Sequence, residues 1–228
     1  MPVIFAELAA TFGASQVSDP NSSAAAANGQ YILITREAYD AVGGHAAVAT
    51  TLLEDVALAR AVKQSGRKIF FRYGADAVRT RMYRSFTQLR EGWTKNLALL
   101  FPSAGPLAIM RLTEFVLIVG SAAIAIIAAI DSRPKAAAAT GLLAVTLVSL
   151  FLQRMRKAHF SWDANIFSLI GLPLFSYLLL RSRLSYKKGS VIWKERTYAS
   201  PPGPEPQTRL CIGRRRAGSR ARVEASID

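Results

Sequence analysis

Three long apolar runs lie within about seventy residues of this sequence and constrain its fold more than any other feature. They cover residues 112–130, 136–152 and about 166–180. At ~1.5 Å per residue, about 20 helical residues cross a ~30 Å hydrocarbon layer. The alternative is that the runs are buried helices of a soluble protein, but basic residues flank each of them, which favours a membrane. We therefore predict about three transmembrane helices within residues 112–184.

The side of the membrane on which each part lies stays open from the sequence. Basic residues prefer the cytoplasmic side, yet three crossings would put the basic N-terminal part and the basic tail on opposite sides. Either one run is re-entrant or interfacial, or the tail is an exception. Residues 96–111 are apolar but broken by Pro102, Gly105 and Pro106, which predicts an interfacial segment that leads the chain into the membrane.

The formal net charge of +14 suits anionic lipid headgroups or phosphates. A nucleic-acid site would need basic residues interleaved with stacking aromatics, which the arginine cluster at residues 214–216 lacks, so we predict no nucleic-acid partner. The single cysteine, Cys211, excludes an intrachain disulfide and a multi-cysteine zinc site. Residues 185–228 are predicted to be a basic and largely disordered tail.

The N-terminal hundred residues show α/β signals. Residues 31–35 and 68–73 are rich in strand formers, and residues 36–42 favour a short helix closed by two glycines. Thr51 and Glu54 fit a capping box for a helix that runs to about Gln64. The order of helix, glycine and strand is typical of the back half of an α/β unit.

Several polar residues in this part admit two interpretations. Asp55 lies in a first helical turn, where the helix dipole stabilises a carboxylate by ~0.3–1 kcal/mol, so spacing alone favours a structural role. His45 follows two glycines and on its own is typical of a loop. Four basic residues could form a solvated face or a phosphate clamp beside the bilayer. They are Arg79, Arg81, Arg84 and Lys95.

Taken in order, these segments resemble the second half of a membrane-bound family 2 glycosyltransferase. The resemblance covers roughly residues 20–198 and rests on residues 28–45 (NGQYILITREAYDAVGGH), 54–66 (EDVALARAVKQSG) and 81–93 (RMYRSFTQLREGW). It is closest to bacterial enzymes that glycosylate lipids. The resemblance implies the C-terminal half of a GT-A-like α/β transferase domain in residues 1–95, on the acceptor side, followed by transmembrane helices.

The resemblance also implies roles for individual residues. Asp55 would be the general base of an inverting transfer, which takes the proton of the acceptor hydroxyl as its oxygen attacks the anomeric carbon. A carboxylate suits this role because it is ionised at neutral pH. Glu54, Gly43, Gly44 and His45 would line the acceptor site, where glycines let a substrate approach the backbone.

A second group would contact phosphate or acceptor at the membrane face. Gln88, Arg90 and Trp93 occupy the region of the family's Gln-x-x-Arg-Trp element, with Arg81 and Arg84 just before it. The spacing between Gln88 and Trp93 is one residue longer than in the family, and the arginine is not adjacent to the tryptophan. This departure argues against a processive polysaccharide synthase.

The donor side is where the sequence departs most from the family. The resemblance implies a nucleotide-sugar donor and an Mg²⁺ or Mn²⁺ ion held by an Asp-x-Asp element. The sequence contains neither Asp-x-Asp nor a glycine-rich phosphate loop, and so no metal motif. We therefore expect that the nucleotide-binding half is missing and that this polypeptide alone has little or no transferase activity.

Two functions remain in competition. The first is a transferase that acts on a lipid-type acceptor in a bacterial inner membrane, with its catalytic part in the cytoplasm. The second is a non-catalytic membrane anchor or assembly protein. A transporter has little support, because Glu114 is the one ionisable residue well inside an apolar run.

Overall fold

Helices make up most of the part of the chain that the structure, a computed structural model, describes. The structure describes residues 1–189 except 73, 75–77, 79 and 81, together with the backbone of residues 191–193 and 196–198. The helices in this part of the chain are α1 (Pro2–Thr11), α2 (Ala14–Ser18), α3 (Arg36–Ala41), α4 (Glu54–Gln64), α5 (Phe86–Leu100), α6 (Ala104–Ile130), α7 (Pro134–Met155), α8 (Trp162–Phe167) and α9 (Gly171–Lys187). Short 3-10 turns occupy Gly44–Val48, Arg156–Ala158 and Ser168–Ile170. An antiparallel hairpin follows, formed by β1 (Val191–Trp193) and β2 (Arg196–Tyr198).

Helices α6 and α7 form a long antiparallel hairpin. Helix α7 begins with Pro134. A backbone N–H in the first turn of a helix has no partner within the helix, so proline, which lacks this N–H, fits there. The same reasoning applies to Pro106, which lies in the first turn of α6. This helix therefore starts at Ala104, inside the stretch that the sequence assigns to an interfacial segment.

Three helical stretches are long and apolar enough to cross a membrane: Ala104–Ile130, Pro134–Ala158 and Trp162–Lys187. The predicted membrane helices are thus confirmed in length and composition. Large apolar side chains such as Val116, Ile124 and Leu142 point outward from these helices and are more than half exposed. An apolar exterior on helices of this length indicates a membrane protein.

The main core lies where α1, α5 and α9 meet the start of the α6–α7 hairpin. Leu97 of α5 and Leu178 of α9 are fully buried there, together with Val3 and Ile4 of α1. The ring of Phe101 meets that of Phe175 at a centroid distance of 6.0 Å. Helix α1 is therefore a structural part of the protein, packed against the helices that lead into the membrane.

The predicted α/β fold is wrong for the described residues. Residues 31–35 and the described residues 68–72 are extended but form no strand, and no GT-A-like sheet is present in the part of the chain that the structure covers. A strand needs a partner to accept and donate its backbone hydrogen bonds. Here the backbone N–H of Phe71 instead donates to the hydroxyl of Ser18, at 3.0 Å.

Most of the helix boundaries predicted from local signals are confirmed. Helix α3 begins after Thr35, whose hydroxyl accepts the N–H of Ala38, and ends before the two predicted glycines. Helix α4 ends at Gln64, and Gly66 follows it with φ +79°. The predicted capping box of α4 is wrong, because the residue that precedes the helix is Leu53, and its side chain makes no capping hydrogen bond.

Candidate active site

Asp55 lies in the first turn of α4, and both of its carboxylate oxygens accept backbone hydrogen bonds. The N–H of Gly29 donates to Oδ2 at 2.8 Å, and the N–H of Val56 donates to Oδ1 at 2.8 Å. The side chain is half-buried, so it remains accessible from outside. Each carboxylate oxygen has two lone pairs, and a further hydroxyl can therefore donate to Asp55.

The donor to Asp55 comes from a tight turn that begins at Asn28. The side chain of Asn28 accepts the N–H of Gln30, and its carbonyl accepts the N–H of Tyr31. A Cβ on Gly29 would come within 3.4 Å of Asp55 Oδ2. Sequence analysis did not assign Gly29 a role, although Asn-Gly is a typical turn sequence. The structure thus joins the first and second family stretches at this contact.

The two predicted glycines and His45 form a second unit, organised around Tyr39. The hydroxyl of Tyr39 accepts the backbone N–H of His45 at 3.0 Å and lies 2.8 Å from its Nδ1. Gly44 has φ +56°, and a Cβ there would lie 2.5 Å from the Tyr39 ring. Gly43 is also left-handed, with φ +75°. The glycines therefore hold the exposed His45 side chain against Tyr39.

These two units are neighbours, because the 3-10 turn Gly44–Val48 packs beside α4. Glu54, immediately before Asp55, is exposed to solvent. The five residues assigned to the base and the acceptor site thus lie on two adjacent elements. Their catalytic and binding roles stay predictions.

Two of the residues predicted to contact phosphate, Arg84 and Gln88, lie at the start of α5 and are joined by a hydrogen bond. Ser85 accepts the N–H of Gln88, and Gln88 Oε1 accepts the N–H of Arg84 at 3.0 Å. This reciprocal pattern caps a helix start, so Gln88 is engaged in holding α5. The side chain of Arg84 is exposed, and Arg81 lies outside the described residues.

Trp93 and Arg90 point toward the interior. Trp93 is 3% exposed and packs edge-on against Phe5, at a ring-centroid distance of 6.1 Å. Its indole N–H and Arg90 Nε are both buried and have no hydrogen-bond partner among the described residues. Tyr83 packs against the same tryptophan, and burial raises the pKa of its phenol above the ordinary value. Trp93 is therefore a core residue.

A network of four charges, of which Glu7 is buried and the other three are largely buried, connects α1 to the α6–α7 hairpin. Arg111 contacts Glu7 at 2.9 Å and Glu114 at 2.8 Å, and Arg154 contacts the same two glutamates at 3.6 and 2.9 Å. The four side chains are 7–19% exposed. The two positive and two negative charges balance, which is what burial of charge requires. The sequence pattern marks Glu114 as an isolated acid in an apolar run, and no local signal marks Glu7.

The described residues offer no group of three or more histidine, cysteine, aspartate or glutamate side chains that could hold a metal ion. Glu54 and Asp55 are adjacent acids, but Asp55 already accepts two backbone N–H groups. The divalent ion that the resemblance implies therefore has no fitting site in the described part of the chain.

Comparison with known proteins identifies the family. The family model for glycosyl transferase family 21 matches residues 6–205. No curated protein and no solved structure matches the chain. The matched range includes Asp55, the Tyr39–His45 unit and all three candidate membrane helices. The glycosyltransferase resemblance is confirmed, and the chain belongs to glycosyltransferase family 21.

Proposed function

We propose that this chain transfers a sugar from a nucleotide-sugar to the hydroxyl of a lipid-type acceptor, with Asp55 as the general base. The observation that carries the proposal is the geometry of Asp55. Its carboxylate is oriented by the N–H groups of Gly29 and Val56 while part of the side chain stays accessible. A base must have this combination of fixed orientation and access to act within hydrogen-bond distance of its substrate.

The reaction follows from that geometry. The acceptor hydroxyl donates a hydrogen bond to Asp55, and its oxygen attacks the anomeric carbon of the donor sugar. As the new C–O bond forms, the proton passes to the carboxylate. The bond from the anomeric carbon to the diphosphate oxygen breaks, and the nucleotide leaves with the electron pair. Attack from the face opposite the leaving group inverts the configuration.

Two features support an acceptor in the membrane. The candidate site belongs to the same chain as three helices that can span a bilayer. Helix α5 ends at Leu100 and is followed after three residues by α6, the first of these helices. An acceptor anchored in the bilayer would thus be held close to the site. We further propose a bacterial inner membrane, with the site on the cytoplasmic face.

The proposed steps are assigned to side chains of this chain alone. The Mg²⁺ or Mn²⁺ that the resemblance implies would neutralise the leaving diphosphate, but the described residues do not fit such an ion. We further propose that His45, on the turn that packs beside α4, orients the acceptor, because Tyr39 fixes its ring.

The test is sugar transfer in membranes from cells that produce the chain. A labelled nucleotide-sugar is supplied, and extracted lipids are counted against membranes that lack the chain. We expect little transfer by the wild type, because the sequence contains no Asp-x-Asp to hold the metal of a donor site. General-base catalysis contributes about 10²–10⁴-fold, so Asp55→Asn should lower the rate by at least about 100-fold.

The matched control is Asp40→Asn, which makes the same chemical change at an exposed acid paired with Arg36 on α3. This variant should keep wild-type transfer, and both variants should insert into membranes equally. Near-normal transfer by Asp55→Asn would contradict the role of Asp55. No transfer by the wild type would contradict activity of this chain by itself, which the missing Asp-x-Asp already disfavours, and would make the non-catalytic anchor the better interpretation.

A further inference from the structure

We propose that the third apolar segment, Trp162–Lys187, does not cross the membrane but begins and ends on the side where α5 lies. The basic tail that follows would then lie on the same side as the candidate active site. Of the alternatives that the sequence leaves open, this topology is the one in which one apolar run is re-entrant or interfacial. The contacts between the ends of the helices support this topology.

The α6–α7 hairpin defines the two sides. Helix α6 leaves α5 at Ala104, and α7 returns to the same end, because Arg111 near the start of α6 and Arg154 near the end of α7 share Glu7 and Glu114. Farther along, a Cβ on Gly141 would lie 3.9 Å from Ala125. The chain therefore comes back to the side of α5, called the near side here, before the third segment begins.

The start of the third segment touches near-side elements. The 3-10 turn Arg156–Ala158 packs against α1. The ring of Phe160 lies 5.8 Å from that of Phe5, which in turn lies 6.1 Å from Trp93 of α5. The side chain of Asn165 donates to the carbonyl of Phe160 at 3.1 Å, which ties α8 to this position. The third segment therefore starts on the near side, at Trp162.

The end of the segment is fixed to α5 by three hydrogen bonds. The hydroxyl of Ser182, fully buried, donates to the carbonyl of Thr94 at 2.6 Å and accepts the N–H of Ala98 at 2.8 Å. The phenol of Tyr186 donates to the carbonyl of Lys95 at 2.7 Å. These partners lie within ten residues of the start of α6. Lys187 therefore also lies on the near side.

Two further contacts agree with that anchor. The guanidinium of Arg183 occupies the space beside Gly105, at the first turn of α6. Beyond Lys187, strand β1 lies against α5. The segment thus has both ends beside α5 and the start of α6.

A straight helix could not meet these contacts while spanning the bilayer. The 26 residues of Trp162–Lys187 would extend about 39 Å, more than the ~30 Å hydrocarbon thickness, and would place its ends on opposite sides. The segment instead changes to a 3-10 turn at Ser168–Ile170, and Pro173 lacks the N–H that would bond back across that turn. Its middle contacts α1, since a Cβ on Gly171 would lie 3.3 Å from Val3.

The outward residues of the segment suit one leaflet of a bilayer. Trp162, Phe167 and Ile170 are 76%, 71% and 70% exposed. An apolar face of this kind lies in the headgroup and acyl boundary. The topology also puts the basic N-terminal part and the basic tail on one side, as the preference of basic residues for the cytoplasmic side requires.

The single cysteine makes the test direct, because Cys211 in the tail is a native reporter. It is labelled with a membrane-impermeant maleimide in sealed vesicles of each orientation. In a Cys211→Ser background, three exposed positions receive single cysteines. They are Ser23→Cys before α3, Ser132→Cys in the α6–α7 turn and Lys188→Cys after the third segment.

We expect Ser23→Cys, Lys188→Cys and native Cys211 to be labelled in the same vesicle orientation and protected in the other. Ser132→Cys should show the opposite pattern. Labelling of Lys188→Cys and Cys211 together with Ser132→Cys would show that the third segment crosses, and would overturn the proposal. Labelling of all four from one face would also overturn it, because the hairpin would not cross. Labelling after detergent permeabilisation confirms that each thiol is reactive.

Discussion

The substitution Glu7→Gln tests the charge network that joins α1 to the membrane hairpin. Glu7 is 6% exposed and contacts both Arg111 and Arg154. With glutamine in its place, two buried arginines share Glu114 alone, and the network gains a net charge of +1. Side-chain volume hardly changes, so the effect of the substitution is electrostatic.

The expected loss of stability follows from the burial of the charges in this network. Removal of one partner from a buried ion pair costs about 3–5 kcal/mol, since the other charge is left uncompensated. The two arginines keep 13% and 18% exposure, and partial hydration brings our expectation to about 3 kcal/mol. For a chain of this length, about 2–4 °C of melting temperature corresponds to 1 kcal/mol. We therefore expect the melting temperature in detergent to fall by roughly 6–12 °C.

The assay is thermal unfolding followed by tryptophan fluorescence, to which the buried Trp93 contributes. Glu91→Gln, at an exposed position of α5, is the matched control and should change stability by less than about 0.5 kcal/mol. The double variant Glu7→Gln, Arg154→Met restores charge balance around the Arg111–Glu114 pair. Its cost should be lower than the sum of the two single costs by at least about 1 kcal/mol. A wild-type melting temperature for Glu7→Gln, or additive costs, would refute the reasoning.

Two further predictions concern the N-terminal part. Gly44→Ala should destabilise the protein by roughly 2–4 kcal/mol, because it combines a left-handed backbone with overlap of the Tyr39 ring. The control is Gly66→Ala, at a left-handed position with open space around it, which should cost about 1 kcal/mol. Equal melting temperatures for the two variants would contradict the Tyr39 contact. Burial raises the pKa of Tyr83, so folding favours the neutral phenol, and stability should be lost as the pH rises above about 10, the pKa in the unfolded chain. Tyr83→Phe should remove this part of the alkaline loss in melting temperatures measured from pH 8 to 11, and an unchanged pH profile would contradict it.

Elements with local signals could be predicted from the sequence. The apolar runs gave the membrane helices because helix length and lipid exposure depend on contiguous residues. Helix α3 and the end of α4 were predicted because caps and left-handed glycines act within a few residues. Local signals did not predict strands correctly. Residues 31–35 look strand-like, but a strand forms only where a distant segment pairs with it.

The candidate site shows the same division. Family motifs selected Asp55 and the Gly43–His45 stretch, and the structure places them on neighbouring elements. They did not reveal Gly29, which reaches Asp55 across 26 positions, or the structural use of Gln88 as a cap. The Glu7 network was missed because its ion pairs join residues more than a hundred positions apart, and no local pattern encodes such a pair.

The charge network also has a consequence for the order in which the helices assemble during biosynthesis. Glu7 is translated 104 positions before Arg111 and earlier still than Arg154. Until α6 has been made, this glutamate has neither of its two guanidinium partners, and until α7 has been made and inserted it still lacks Arg154, so burying it earlier would be costly. The hairpin in turn carries two arginines and one glutamate until α1 docks. Helix α1 is therefore made early but reaches its native contacts only after both later helices are in the membrane.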